Sequence, residues 1–132
     1  MVILRRKINY YECDRMGITH HSNYIRFMEE ARIELLDKLG YGFERMEAEG
    51  VNSPVVSVEC EYRKPTTFRD ELVIDVRLEE LSALKMKFRY EMKVEGKLAC
   101  KGITTHCFFE NGRPVVIEER FPELCEQLKS MD

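Results

Sequence analysis

Apolar positions change their period along the chain, and the change marks out elements. An alternating segment, Val2 to Lys7, opens the chain, and Ile8 and Tyr10 then alternate with polar neighbours in the manner of a first strand. Asp14 to Ser22 carries turn residues. Beyond it Tyr24, Phe27, Met28, Ala31, Leu35 and Leu39 recur at helical spacing, while Arg26, Glu30, Glu34, Asp37 and Lys38 fall on other faces. The spacing predicts one long helix, capped by Ser22 or Asn23 and closed by Gly40. Phe43 to Glu49 reads as a short second helix.

Four extended segments rich in β-formers follow: Pro54 to Tyr62, Glu71 to Leu81, Leu84 to Val94 and Lys97 to Phe109. In the third, Lys85, Lys87, Arg89 and Glu91 alternate with Met86, Phe88, Tyr90 and Met92, the period of a sheet with one buried face. That face is expected to cover the long helix. Glu95-Gly96 and Asn111-Gly112 mark tight reversals, and Pro122 suits the first turn of a terminal helix ending near Lys129. One strand, one long helix and consecutive strands predict an α+β architecture, an antiparallel β-sheet wrapped around one long central α-helix, which is the hotdog arrangement. A single sheet of this size has exposed edges, so edge-to-edge dimerisation is expected.

Composition narrows the setting. A length of 132 residues without linker, repeat or low-complexity segment is read as a single domain, 1–132. The 5 cysteines are odd in number and include no C-x-x-C, so reduced thiols in a cytoplasmic protein are expected. No apolar run has the length of a signal peptide or membrane span. A net charge of -3 argues against a general nucleic-acid binder, yet a few Lys or Arg residues still suffice for one small polyanionic ligand.

Candidate chemistry concentrates between Glu12 and Tyr24, where a carboxylate, a glycine turn and two imidazoles precede the helix start. An acid held near free backbone N–H groups supplies both a base and an electrophilic clamp for a carbonyl. His20, His21, Cys13 and His106 match no common metal-ligand spacing, and no metal is expected. His20 reads as a loop or pocket residue, and His106, alternating with Thr104 and Phe108, as a satisfied strand histidine. Glu29 and Arg32, three residues apart, are expected to pair on the helix.

The pattern Asp14-x-x-Gly17-x-x-x-His21-x-Asn23-Tyr24, running into Phe27-Met28-Glu29-Glu30-Ala31-Arg32, resembles the 4-hydroxybenzoyl-CoA thioesterase family, especially its Tol-Pal-cluster acyl-CoA thioesterase branch. The resemblance extends over nearly the whole chain and implies a hotdog fold, hydrolysis of acyl-CoA thioesters, no metal and no cofactor, coenzyme A being part of the substrate. It also implies a homodimer or homotetramer with active sites where subunits meet. Asp14 matches the family's catalytic carboxylate, general base or nucleophile, with the base favoured. His21 takes the position whose backbone N–H polarises the thioester oxygen, a donor worth roughly 3 kcal/mol in the transition state.

In the same reading, Gly17 shapes the loop, Asn23 anchors it or caps the helix, and Tyr24 faces substrate. Among the cations Arg63, Lys64, Lys85, Lys87 and Arg89, the expected contacts to coenzyme A are Lys64 and Lys85. Enzymes specific for the 4-hydroxybenzoyl group carry an arginine pair where this chain has Ser82-Ala83, which weakens the case for that aromatic substrate. Glu29 is a reserve carboxylate, because another hotdog branch carries its catalytic acid on the long helix. Two rivals stand beside the hydrolase: a hotdog hydratase or dehydratase, whose histidine-centred helix motif is missing, and a noncatalytic acyl-CoA-binding module. Pocket depth is expected to depend on how Tyr24, Phe27, Met28, Ser53 and Pro54 meet a second subunit.

Overall fold

A computed structural model describes residues 1–131. In chain order the elements are β1 (Val2–Lys7), α1 (Asn23–Lys38), α2 (Phe43–Ala48), β2 (Val51–Asn52), β3 (Val55–Tyr62), β4 (Glu71–Leu81), β5 (Met86–Val94), β6 (Lys97–His106), β7 (Phe109–Glu110), β8 (Arg113–Pro114), α3 (Ile117–Arg120) and α4 (Pro122–Lys129). Five strands form one antiparallel sheet in the order β1-β4-β5-β6-β3, and a small sheet β2-β7-β8 stands apart from it. This is the α+β hotdog arrangement that the alternating pattern predicts.

Helix α1 packs on one face of the sheet because its apolar stripe has one place to go. Tyr24, Phe27, Met28, Ala31 and Leu35 are buried along it, and Met86, Phe88, Tyr90 and Met92 of β5 meet them from the sheet. Each large side chain in this layer contributes about 2 kcal/mol of hydrophobic burial. Gly102 on β6 permits the closest approach: a Cβ there would lie 2.6 Å from the Met28 sulfur and 3.0 Å from the Glu59 carbonyl oxygen. Gly40 follows α1 with a φ of +81°, as its position after the last periodic residue predicts. The reversals at Glu95-Gly96 and Asn111-Gly112 likewise have positive φ at both residues, the geometry of tight hairpins.

Several boundaries differ from expectation. The first strand is Val2–Lys7. Ile8 extends its ladder through bonds with Asp70 and Arg69, but Tyr10 sits in a single 3₁₀ turn, Tyr10–Glu12, and is 77% exposed. The cause is Glu12, whose carboxylate accepts the Asn9 N–H at 2.8 Å and curls the chain before alternation can continue. The last long strand stops at His106, and Phe109–Glu110 pairs instead with Val51–Asn52 and Arg113–Pro114. Neither proposed helix cap operates: Ser22 already has helical angles and makes no side-chain cap bond, while the Asn23 amide turns back to the loop.

Strand β3 is an open edge. Seven of its eight residues are exposed, including Val55, Val56, Val58 and Tyr62, and only Cys60 is half-buried. An apolar edge of this length is a template for pairing with another strand.

Candidate active site

The loop before α1 is held by a bonded frame that begins one strand earlier. Arg6 on β1 grips the buried Glu12 carboxylate with two hydrogen bonds, 2.7 and 3.0 Å, while its Nε reaches Glu30 at 2.8 Å. The same guanidinium lies over the Phe27 ring at 4.3 Å. Burial pushes the Glu12 carboxyl up, but hydrogen bonds from Arg6 and from the Asn9 amide outweigh it and leave the group below the usual carboxylate range. The Glu12 carbonyl then accepts both the His20 N–H and the Asn23 side-chain amide, each at 2.8 Å. Strand, loop and helix start are thereby fixed to one residue.

Asp14 stands at the tip of this frame. Its N–H donates to the Ile18 carbonyl at 2.9 Å, and its carbonyl accepts the Gly17 N–H at 3.0 Å. Gly17 takes a φ of +80°, a left-handed conformation that a side chain would strain. One carboxylate oxygen of Asp14 accepts the Met16 N–H at 2.8 Å, which fixes the rotamer; the other has no hydrogen-bond partner among the described residues. An oriented carboxylate with one free oxygen is suited to take a proton from water or to attack a carbonyl.

The start of α1 forms the opposite wall. Helix bonding begins with the Asn23 N–H to His20 and the Tyr24 N–H to His21, and among the described residues no acceptor within the chain takes the His21 N–H. Tyr62, at the end of β3, donates its hydroxyl to the His21 carbonyl at 3.2 Å and sets its ring edge-on to those of His21 and Tyr24. Below them Tyr24, Thr66 and Thr19 share a buried hydroxyl chain with contacts of 2.7 and 2.6 Å. Burial raises the Tyr24 hydroxyl, so it stays neutral and acts as a hydrogen-bonding post.

These groups surround a cavity of about 490 Å³ lined by Asp14, His21, Tyr24, Tyr62, Arg63 and Lys64 among others. The structure therefore brings four of the expected residues together: Asp14, His21, Tyr24 and Lys64. Gly17 and Asn23 lie behind them as loop supports, with the Gly17 carbonyl tied to the Thr67 hydroxyl at 2.7 Å. Lys85 is not brought to the group. It occupies the exposed turn between β4 and β5, at the sheet end where Met86 and Val55 flank His106, whereas Tyr62 flanks Cys100 opposite Met92. Six strand residues separate the two rows, ~20 Å within one subunit.

Other expectations resolve nearby. His20 is exposed, bonded to the Ser22 hydroxyl at 2.8 Å and packed on the His21 ring. Glu29 and Arg32 form no ion pair among the described residues, because Arg32 turns inward to the Tyr90 hydroxyl at 3.1 Å. Phe27 and Met28 belong to the core at 0% exposure. No group of three His, Cys, Asp or Glu lies together in a metal-holding arrangement among the described residues. Tyr62 and Glu12 lie outside the spaced motif, and the sequence hints at Glu12 only through its place next to that motif.

A second cavity, about 400 Å³, opens on the other flank of α1 between that helix, α2 and the sheet. Met46, Met86, Phe88 and Phe108 give it apolar walls, and Glu29, Arg32 and Ser53 its polar points.

Comparison with known proteins agrees with this geometry. The model of the thioesterase-like superfamily matches residues 8–128. A candidate esterase of Aquifex aeolicus is 39% identical over 127 residues, covering 96% of this chain and 97% of that protein. A solved protein of Thermus thermophilus superposes with a TM-score of 0.89 at 35% identity, over 96% of this chain and 98% of that one. A solved DHNA-CoA thioesterase of Staphylococcus aureus gives 0.86 at 29% identity, over 93% and 85%. With its fold, its helix-start cavity and these relatives in agreement, the chain belongs to the thioesterase-like superfamily and is a hotdog thioester hydrolase.

Proposed function

We propose that the protein hydrolyses acyl-CoA thioesters in the Asp14 cavity, with Asp14 as general base and the start of α1 as the oxyanion donor. The observation that carries this reading is the pairing of an oriented Asp14 carboxylate, one oxygen on the Met16 N–H, with a His21 N–H left without an acceptor among the described residues. Asp14 removes a proton from water as the water attacks the thioester carbonyl. Charge then grows on the carbonyl oxygen, where the His21 N–H and the positive end of α1 stabilise it more than they did the neutral carbonyl. Collapse of the intermediate breaks the C–S bond and expels the coenzyme A thiolate; solvent protonates the thiolate, and Asp14 returns its proton to solvent.

Lys64, together with Arg63, supplies positive charge at the rim for the coenzyme A phosphates. Arg63 is shared with Glu61 at 2.6 Å, so Lys64 is the freer cation. The acyl group goes to the second cavity, in a second copy of the chain. Ser53 lines that cavity just before β3 begins, and Tyr62 lines the Asp14 cavity where β3 ends. Antiparallel pairing of two exposed β3 edges sets the beginning of one strand beside the end of the other, so the two cavities meet across the junction. That arrangement also covers Val55, Val56 and Val58. Release of free thiol from a panel of acyl-CoAs by wild type, and its loss in Asp14→Asn, tests the reading; an Asp14→Asn protein of wild-type activity would refute the role of Asp14.

A further inference from the structure

The polar side chains buried in the core form one continuous chain, and both of its ends surface in the second cavity. Arg32 Nη1 donates to the Tyr90 hydroxyl at 3.1 Å, Tyr90 meets Thr104 Oγ1 at 2.7 Å, and Thr104 meets His106 Nε2 at 2.8 Å. His106 also hydrogen-bonds the Ser53 backbone. Tyr90, Thr104 and His106 are no more than 2% exposed, and Arg32 and Ser53 line the cavity.

The direction of the chain follows from its first member. A guanidinium only donates, so Tyr90 accepts from it and keeps its own proton available for Thr104. Thr104 then donates to His106 Nε2, which requires a neutral ring whose other nitrogen donates to the Ser53 carbonyl. Burial and the nearby Arg32 charge push the His106 imidazole down to about 4, in keeping with a neutral ring. Three polar groups in a core are costly unless all are satisfied, and an apolar trio would hold the sheet together equally well. What this chain adds is a fixed Arg32.

Arg32 is half-buried and spends one N–H on Tyr90; no carboxylate lies within ion-pair distance of it among the described residues. Its remaining donors stand in a cavity walled by Leu36, Met86, Phe88 and Phe108. Glu29 and Glu47 also line the cavity, but both are exposed, where water screens their charge.

We propose that Arg32 is a specificity-determining residue that binds a carboxylate at the far end of the acyl group, so that the favoured substrates are monothioesters of dicarboxylic acids. The inference rests on the reading that the second cavity takes the acyl group. A carboxylate matches the fork of the guanidinium, whereas a plain alkyl end would dehydrate those N–H groups and offer them nothing.

The test compares two ligands of equal carbon count. Calorimetry measures binding of the non-hydrolysable thioether analogues of adipoyl-CoA and hexanoyl-CoA to the full chain. The adipoyl analogue is expected to bind at least tenfold more tightly to wild type, Arg32→Met to abolish that preference, and Tyr90→Phe to narrow it. Equal affinities in wild type, binding of neither analogue, or an Arg32→Met protein that keeps the preference would overturn the proposal. The wild-type comparison requires no variant to fold. Thiol release from adipoyl-CoA and hexanoyl-CoA, followed in parallel, separates the two readings: a persistent binding preference without hydrolysis would refute the hydrolase mechanism and leave the role of Arg32 standing.

Discussion

The Tyr62 hydroxyl donates to the His21 carbonyl at 3.2 Å, joining the last residue of the exposed edge strand to the first turn of the central helix. A group that acts only through the helix start should matter more to turnover than to binding. Tyr62→Phe is therefore expected to lower kcat several-fold with little change in KM, because one neutral hydrogen bond contributes about 1 kcal/mol. Steady-state kinetics checks this, and an equal rise in KM alone would argue that Tyr62 contacts substrate instead.

Asp14→Asn keeps the size of the side chain and an oxygen for the Met16 N–H, so the loop should survive. Loss of the base is expected to reduce kcat by about 10²–10⁴-fold, with the thermal midpoint nearly unchanged. Activity assays beside thermal unfolding distinguish lost chemistry from lost structure.

Glu12 offers the opposite profile. Removing its carboxylate leaves the half-buried Arg6 with only the more exposed Glu30 and frees the Asn9 amide, and Glu12→Ala should destabilise the fold by about 3 kcal/mol. The folded-state depression of its pKa means that this support is present above the unfolded carboxyl value and fades as the pH falls through the folded one. Denaturant unfolding of wild type and Glu12→Ala from neutral to acid pH should show the two curves converging.

His106 titrates with the same sign. Its folded pKa of about 4 lies below the unfolded value of about 6.5, so the unfolded state takes up the proton first and stability drops as the pH falls across that interval. The full effect approaches about 3 kcal/mol. His106→Gln should flatten this part of the stability profile, and an unchanged slope would remove His106 as its source.

Charge on the open edge tests assembly. Val58→Lys puts an ammonium group on the exposed strand and should shift a β3-paired dimer to monomers, with loss of activity. Sedimentation velocity reads the first effect and thiol release the second; an unchanged oligomer would place the contact elsewhere.

The sequence carried the layers of this fold plainly because they depend on period: Tyr24 to Leu35 at helical spacing, and Met86 to Met92 alternating, can bury their apolar faces in only one way. It was less informative where one side chain overrides a pattern. Glu12 bends the chain through Asn9 and converts the expected strand around Tyr10 into a turn, a bond between neighbours that periodicity does not register. Arg32 was expected beside Glu29 on helical spacing, but a buried hydroxyl 58 positions away in sequence, Tyr90, claims it. Within one subunit Lys85 stands apart from Lys64 for a related reason: both are basic residues beside strands, and only the register places them at opposite ends of the sheet. The motif from Asp14 to Tyr24 was legible because its parts are close in the chain.

The Glu12 carbonyl, holding the His20 N–H and the Asn23 amide together, has an evolutionary consequence. The proposed bond-breaking apparatus is built from one short stretch braced on itself, while the apolar cavity draws its walls from distant parts of the chain. If that cavity takes the acyl group as proposed, substitutions at Met46, Phe88 or Phe108 would remodel which guest is accepted without disturbing the frame around Asp14. Such a division lets a lineage explore new substrates while its reaction stays the same.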